Sequence, residues 1–138
     1  MNIKLPHEIH VALCACGCHD SLVLHNVHLL EEALSRMGCR VDRLESFDDL
    51  NFLLESRAVD VVMLPLDPCS HKSLEMLNWL RGHDGPPVLT MATSLDVDLY
   101  LEAMRRGAFD CVGLPVEEKE LFRLISKASE TRRLLASA

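Results

Sequence analysis

Hydrophobic residues follow two different periods along this chain. Short runs of consecutive apolar residues indicate strands that are covered on both sides, and the clearest run occupies residues 59–64, with Asp60 as its polar exception. Longer segments repeat their apolar residues every three or four positions, as one face of an amphipathic helix does. Gly38, a typical helix terminator, follows the first of these stripes. That stripe consists of Val23, Val27, Leu30, Leu34 and Met37.

The two periods alternate five times. We predict strands at residues 9–15, 39–44, 59–64, 88–92 and 109–114. The predicted helices run from Asp20 or Ser21 to Met37, from Ser46 to Glu55, from Ser70 to Gly82, from Ser94 or Asp96 to Arg106, and from Glu117 to Leu135. Such an alternation predicts an α/β protein with right-handed crossovers, built as a three-layer sandwich around a parallel sheet.

Length and composition favour a single domain. The chain has 138 residues, of which 49% are apolar, and we predict one domain over residues 1–138 with its core at about 8–130. No run of about 18 apolar residues is present and no secretory signal is visible, so we expect a cytoplasmic protein without a membrane partner. The formal net charge of −7 disfavours direct binding to nucleic acid.

Four segments carry a resemblance to a known family. They are residues 60–64 (DVVML), 87–89 (PVL), 102–110 (EAMRRGAFD) and 114–116 (LPV). In this order they resemble the receiver domain of bacterial two-component response regulators, and the GAFD run resembles receivers that precede transcription activators. The resemblance implies a flavodoxin-like, doubly wound (βα)5 fold with a five-stranded parallel sheet.

The resemblance also implies where a phosphotransfer site would lie. In the family, an aspartate at the end of the third strand accepts a phosphoryl group, and a hydroxyl and a lysine from the next two strands hold its oxygens. The family spacing puts the acceptor at Pro65, or at Leu64 in a shifted alignment. The same spacing puts the hydroxyl position at Ala92, the lysine position at Leu114 and a signalling aromatic at Cys111.

These residues cannot perform the family's chemistry. The acid pair that holds Mg²⁺ in receivers falls within residues 15–18, which contain no carboxylate. The nearby Asp20 and Asp67 are interpreted as a helix cap and a turn residue. We therefore expect a degenerate receiver, or pseudo-receiver, that is not an enzyme, needs neither Mg²⁺ nor another cofactor, and acts in signal transduction through contacts with a protein partner or an output domain.

A group of sulfur ligands offers an alternative interpretation. Cys14, Cys16 and Cys18 alternate ahead of His19, and Cys69 follows the third predicted strand, so all five are expected near one edge of the sheet. Thiolates and imidazoles suit Zn²⁺ or Cu(I), and accessible thiols can sense oxidants. The C-x-C-x-C-H spacing differs from the paired C-x-x-C of common zinc sites. The plainer interpretation makes Cys14 and Cys16 small residues of a buried strand.

The resemblance also points to a contact surface. In receivers the fourth helix, fifth strand and fifth helix form the face used for dimers and output contacts, and mixed charges there can pair across a two-fold axis. On this chain the candidate residues are Asp98, Tyr100, Leu101, Arg105 and Arg106 from the helix, Cys111 and Val112 from the strand, and Lys119, Arg123 and Lys127 from the last helix. A homodimer through this face is one expectation, and a solvated charged face is the other.

Overall fold

Five strands alternate with five helices in the computed structural model, which describes residues 8–15, 21–66, 72–82 and 85–137. The strands are β1 (His10–Cys14), β2 (Arg40–Leu44), β3 (Val61–Pro65), β4 (Val88–Ala92) and β5 (Asp110–Gly113). The helices are α1 (Ser21–Arg36), α2 (Phe47–Glu55), α3 (Lys72–Gly82), α4 (Val97–Arg105) and α5 (Glu118–Ser137). None of these helices, within the described ranges, is long and apolar enough to cross a membrane.

The strands form one parallel sheet in the order β2-β1-β3-β4-β5. Leu13 of β1 is aligned with Arg43 of β2 on one side and with Met63 of β3 on the other. β1 therefore lies inside the sheet with β2 on one side of it, and the chain then continues with β3, β4 and β5 on the other side. This strand order confirms the flavodoxin-like doubly wound (βα)5 fold, in which ligands bind beyond the carboxyl ends of the strands.

Apolar side chains cover both faces of the sheet. On one face, Leu13 and Met63 belong to a buried cluster with α1 and α5, and on the other face Val62 and Leu64 belong to a cluster with α2, α3 and α4. The period-two alternation along each strand separates the two clusters. The residues predicted to form the inner faces of the first and last helices are all buried: Val23, Val27, Leu30, Leu34, Met37, Leu121, Leu124, Ile125 and Ala128.

Two helix caps follow the sequence prediction. The Ser46 hydroxyl accepts a hydrogen bond from the backbone N–H of Asp49 at 3.1 Å, which satisfies an otherwise unpaired donor in the first turn of α2. At α4, the carboxylate of Asp96, rather than the hydroxyl of Ser94, accepts the N–H of Leu99 at 2.8 Å. Asp96 is thus the cap that starts α4.

The third strand begins two residues later than predicted and includes Pro65. Before the strand, Asp60 is tied to β1 twice, because its N–H donates to the His10 carbonyl at 2.8 Å and its carboxylate accepts the His10 N–H at 2.9 Å. At the other end, Leu66 N–H donates to the Met91 carbonyl at 2.7 Å. Pro65, which has no N–H, can therefore end the strand without removing a bond to β4.

Candidate functional site

The carboxyl ends of β3, β4 and β5 lie side by side at the edge where the sequence places three of the phosphotransfer positions. Pro65 and Ala92 are the last residues of β3 and β4, and Leu114 directly follows β5. The backbone N–H of Leu114 donates to the Ala92 carbonyl at 2.8 Å, so the ends of β4 and β5 are bonded side by side. The structure thus brings the positions that would be acceptor, hydroxyl and lysine onto three adjacent strands.

The side chains at this edge are apolar and buried. Pro65, Ala92 and Leu114 are all buried, and none carries a nucleophile, a hydroxyl or a cation. By strand alternation, Pro65 lies on the same face as Met63, which is the face covered by α1 and α5. Among the described residues, a phosphoryl group placed here would meet hydrocarbon on that face.

Leu114 is part of the core and also lines a small cleft. It belongs to the buried cluster with α1 and α5, and the cleft, of about 160 Å³, lies between α1 and the start of α5. Above this cleft, Arg36 of α1 donates to Glu118 of α5 at 3.3 Å. The Leu114–Pro115 peptide bond is cis.

Cys111, at the position of the signalling aromatic, is buried in the other apolar layer. Beside it, Thr90 is fully buried, and its hydroxyl donates to the Asp110 carbonyl at 3.2 Å. Burial raises the pKa of the Cys111 thiol, an effect opposed by a hydrogen bond with Thr90. A small, neutral, enclosed side chain cannot swing between a buried and an exposed position as a large aromatic can.

The predicted sulfur site lies mostly outside the described residues, which leave out Cys16, Cys18, His19 and Cys69. Cys14 is buried on the face covered by α2, α3 and α4. Within the part of the chain that the structure describes, no group of three or more His, Cys, Asp or Glu side chains could hold a metal ion. Zn²⁺, Cu(I) or redox sensing at this loop therefore stays a prediction.

Asp20 and Asp67, the two acids that lie nearest to the edge in sequence, are likewise not among the described residues. Their interpretation as a helix cap and a turn residue remains a prediction.

The thiol of Cys39, which lies away from the edge formed by Pro65, Ala92 and Leu114, allows a chemical test of the packing. Burial, with a further contribution from the Asp60 carboxylate, raises the pKa of Cys39 from 9.0 to about 11. A higher pKa means less thiolate at a given pH, so at pH 8 we expect Cys39 to react with iodoacetamide about a hundredfold more slowly than in the unfolded chain. Site-resolved mass spectrometry measures this rate. Equal labelling rates for Cys39 in folded and urea-unfolded protein would contradict its burial.

The second candidate region, here called the α4–α5 surface, comprises Asp98, Tyr100, Leu101, Arg105, Arg106, Lys119, Arg123 and Lys127. On α4 this surface exposes apolar side chains as well as charged ones, because Tyr100 is 37% and Leu101 is 46% exposed, and the neighbouring Val97 is 72% exposed. The prediction that Cys111 and Val112 contribute to it is wrong, because apolar layers cover β5 on both faces and bury both residues.

The arginines of the α4–α5 surface already have partners within the chain. Arg106 donates to Glu102 at 2.6 Å, and Arg105 lies 3.4 Å from the other oxygen of the same carboxylate. The hydrogen bond from Arg106 holds the pKa of Glu102 below its ordinary value. Arg123 forms a two-pronged pair with Glu120. The sequence analysis missed these pairs, although the three- and four-residue spacings of the partners could have revealed them.

The chain is similar in sequence to transcriptional regulators, over part of their length. It is 27% identical over 101 residues to the DNA-binding transcriptional regulator NtrC of Salmonella typhimurium and 28% identical over 101 residues to NtrC of Proteus hauseri. Each alignment covers 72% of this chain. The chain spans about a fifth of the length of these relatives, 22% and 21% respectively. No protein-family model matches the sequence.

Solved structures of response regulators share the fold. NtrX from Brucella abortus superposes with a TM-score of 0.75 at 20% identity, covering 95% of this chain and 28% of NtrX. The signal receiver domain of a LuxO repressor protein from Vibrio parahaemolyticus gives 0.72 at 20% identity, covering 94% of this chain and 96% of that domain. HP1043, an orphan response regulator of H. pylori, gives 0.66 at 22% identity, covering 88% of this chain and 96% of HP1043. These likenesses show that the chain has the receiver fold.

Proposed function

We propose that this chain is a response-regulator receiver domain of two-component signalling that works through protein contacts and without phosphorylation. The proposal rests on the edge formed by Pro65, Ala92 and Leu114, buried apolar residues to which the family spacing assigns the receiver's phosphotransfer positions. The receiver fold and the partial identity to NtrC support the signalling role. Neither catalysis nor Mg²⁺ forms part of this proposal.

The α4–α5 surface is the proposed contact site. Because Arg105, Arg106 and Arg123 are paired with carboxylates of their own helices, a partner gains little by contacting them. Tyr100 and Leu101, in contrast, expose apolar area that association would remove from water, and tyrosine is common among residues that dominate binding energy. We propose that these two residues form the centre of the contact and that the ion pairs form its rim.

Self-association through this surface can be measured directly. We expect sedimentation velocity to show a dimer that forms as concentration rises, and Leu101→Asp to weaken it by about tenfold or more, because the substitution places a charge in an apolar contact. Lys119→Ala, at the rim, is the matched control and should change the dissociation constant less than about twofold.

The same measurement separates the two parts of the proposal. Adding acetyl phosphate with Mg²⁺ should leave the distribution of wild-type protein unchanged. A monomer at every concentration would argue against self-association and leave an output domain or another protein as the partner. A shift in the distribution on addition of the phosphodonor would argue against phosphorylation-independent action.

A further inference from the structure

An open cleft lies at the opposite end of the sheet from the phosphotransfer positions. Two lobes, of about 480 and 740 Å³, share Leu80, Gly85, Pro86 and Arg132 in their walls. The larger lobe also contacts the end of α2 and Trp79 of α3. These volumes lie in the range of pockets that hold small organic ligands. We call this feature the Trp79 cleft.

Two arginines line the cleft in a chain that is acidic overall. Arg57 and Arg132 both line its larger lobe, where Glu55 is the acidic residue among the described lining side chains. Considering the described ranges alone, neither arginine forms an ion pair. The formal net charge of the chain is −7, so two such guanidinium groups facing one cavity favour an anionic occupant.

A buried polar atom in the same lobe lacks a hydrogen-bond partner. The side-chain oxygen of Asn51 is buried and, among the described residues, no group donates to it. Because this oxygen is closed off from solvent, its unsatisfied state carries an energetic penalty in the fold but offers a ligand no acceptor. Arg57, on the rim, adopts a positive φ of 57° as the residue that directly follows the C-cap of α2.

The walls also provide an apolar platform. The Trp79 side chain is 39% exposed, and Leu54 and Pro86 line the same lobe. An indole ring of this kind stacks on planar aromatic groups. Together, the arginines and the Trp79 ring match a ligand that has an anionic group and an aromatic body.

We propose that the Trp79 cleft binds a small aromatic anion. The sequence analysis gave no sign of it, because Asn51, Trp79 and Arg132 come together only through the fold. The cleft lies at the far end of the sheet from Pro65, Ala92 and Leu114, so this inference is independent of the proposed signalling function.

Two dyes separate the contributions of charge and of apolar contact. 8-Anilinonaphthalene-1-sulfonate carries a sulfonate, an N–H donor and aromatic rings, whereas N-phenyl-1-naphthylamine keeps the N–H and the rings but lacks the charge. Trp79 is the single tryptophan of the chain, so quenching of its emission reports that a dye has bound, and substitution of the arginines locates that binding to the cleft. We expect saturable quenching by both dyes, with the sulfonate bound about tenfold more tightly, since it alone can accept charge-assisted hydrogen bonds.

Variants of the arginines make the test specific. The double variant Arg57→Gln/Arg132→Gln should bind the two dyes within about twofold of each other, while Arg40→Gln, an exposed charge outside the cleft, should keep the wild-type preference. Circular dichroism of each variant checks that the fold is intact. Equal affinity of wild-type protein for the two dyes, a preference that survives in the double variant, or sulfonate binding without quenching of Trp79 would each overturn the proposal.

Discussion

We expect the substitution Leu114→Lys to lower the free energy of unfolding by about 2–3 kcal/mol, although lysine is the residue that receivers carry at this position. Leu114 lies in the buried cluster between the sheet and the helices α1 and α5. In a receiver the amine faces an aspartate, whereas here the acceptor position holds Pro65. The new ammonium would therefore lose water without gaining the aspartate that faces it in receivers, and urea denaturation measures the loss.

Two further variants identify the cause of that loss. Leu114→Met keeps the volume and polarity of the side chain and should cost less than about 1.5 kcal/mol. Adding Pro65→Asp to Leu114→Lys should recover about 1 kcal/mol or more relative to the sum of the single changes, because the two positions lie on one face of the sheet and can form an ion pair. A Leu114→Lys variant as stable as wild type would show that this edge is a hydrated pocket.

The second large effect is expected at the centre of the sheet. Leu13 of β1 is fully buried between two neighbouring strands and under the α1–α5 layer. Leu13→Ala removes three side-chain carbons whose space the surroundings cannot refill, and we expect the free energy of unfolding to fall by about 2–5 kcal/mol.

A leucine of the same size on the surface serves as the control. Leu29 of α1 is 44% exposed, so Leu29→Ala should cost about 1 kcal/mol or less in the same urea titration. Similar losses for the two substitutions would contradict the placement of β1 inside the sheet.

Most of the fold could be predicted from local patterns in the sequence. The stripe from Val23 to Met37 and the capping residue Ser46 each depend on neighbours within one helix, so their structure could be predicted from spacing alone. Strand boundaries were less accurate, because the start of β3 depends on how Asp60 bonds to His10 across the sheet. Such long-range bonds leave no local signal.

Features that depend on contacts between residues far apart in the sequence could not be predicted from it. Whether Val112 is exposed depends on which layer covers β5, and the strand's own residues do not indicate this. The Trp79 cleft likewise requires the ends of α2, α3 and α5 to meet. The resemblance to receivers did assign Pro65 and Leu114 to two phosphotransfer positions. The spacing of motifs in a family reflects their arrangement in three dimensions, which a single sequence does not show.

The central claim is that this receiver fold carries no phosphoryl switch. Intact mass spectrometry after incubation with acetyl phosphate and Mg²⁺ tests it most directly, with a receiver domain that retains the acceptor aspartate as positive control. The account predicts that the control gains about 80 Da, the mass of one phosphoryl group, while this protein keeps its original mass. A stable gain of about 80 Da on this protein, located by fragmentation to Asp67 or Asp20, would contradict the account.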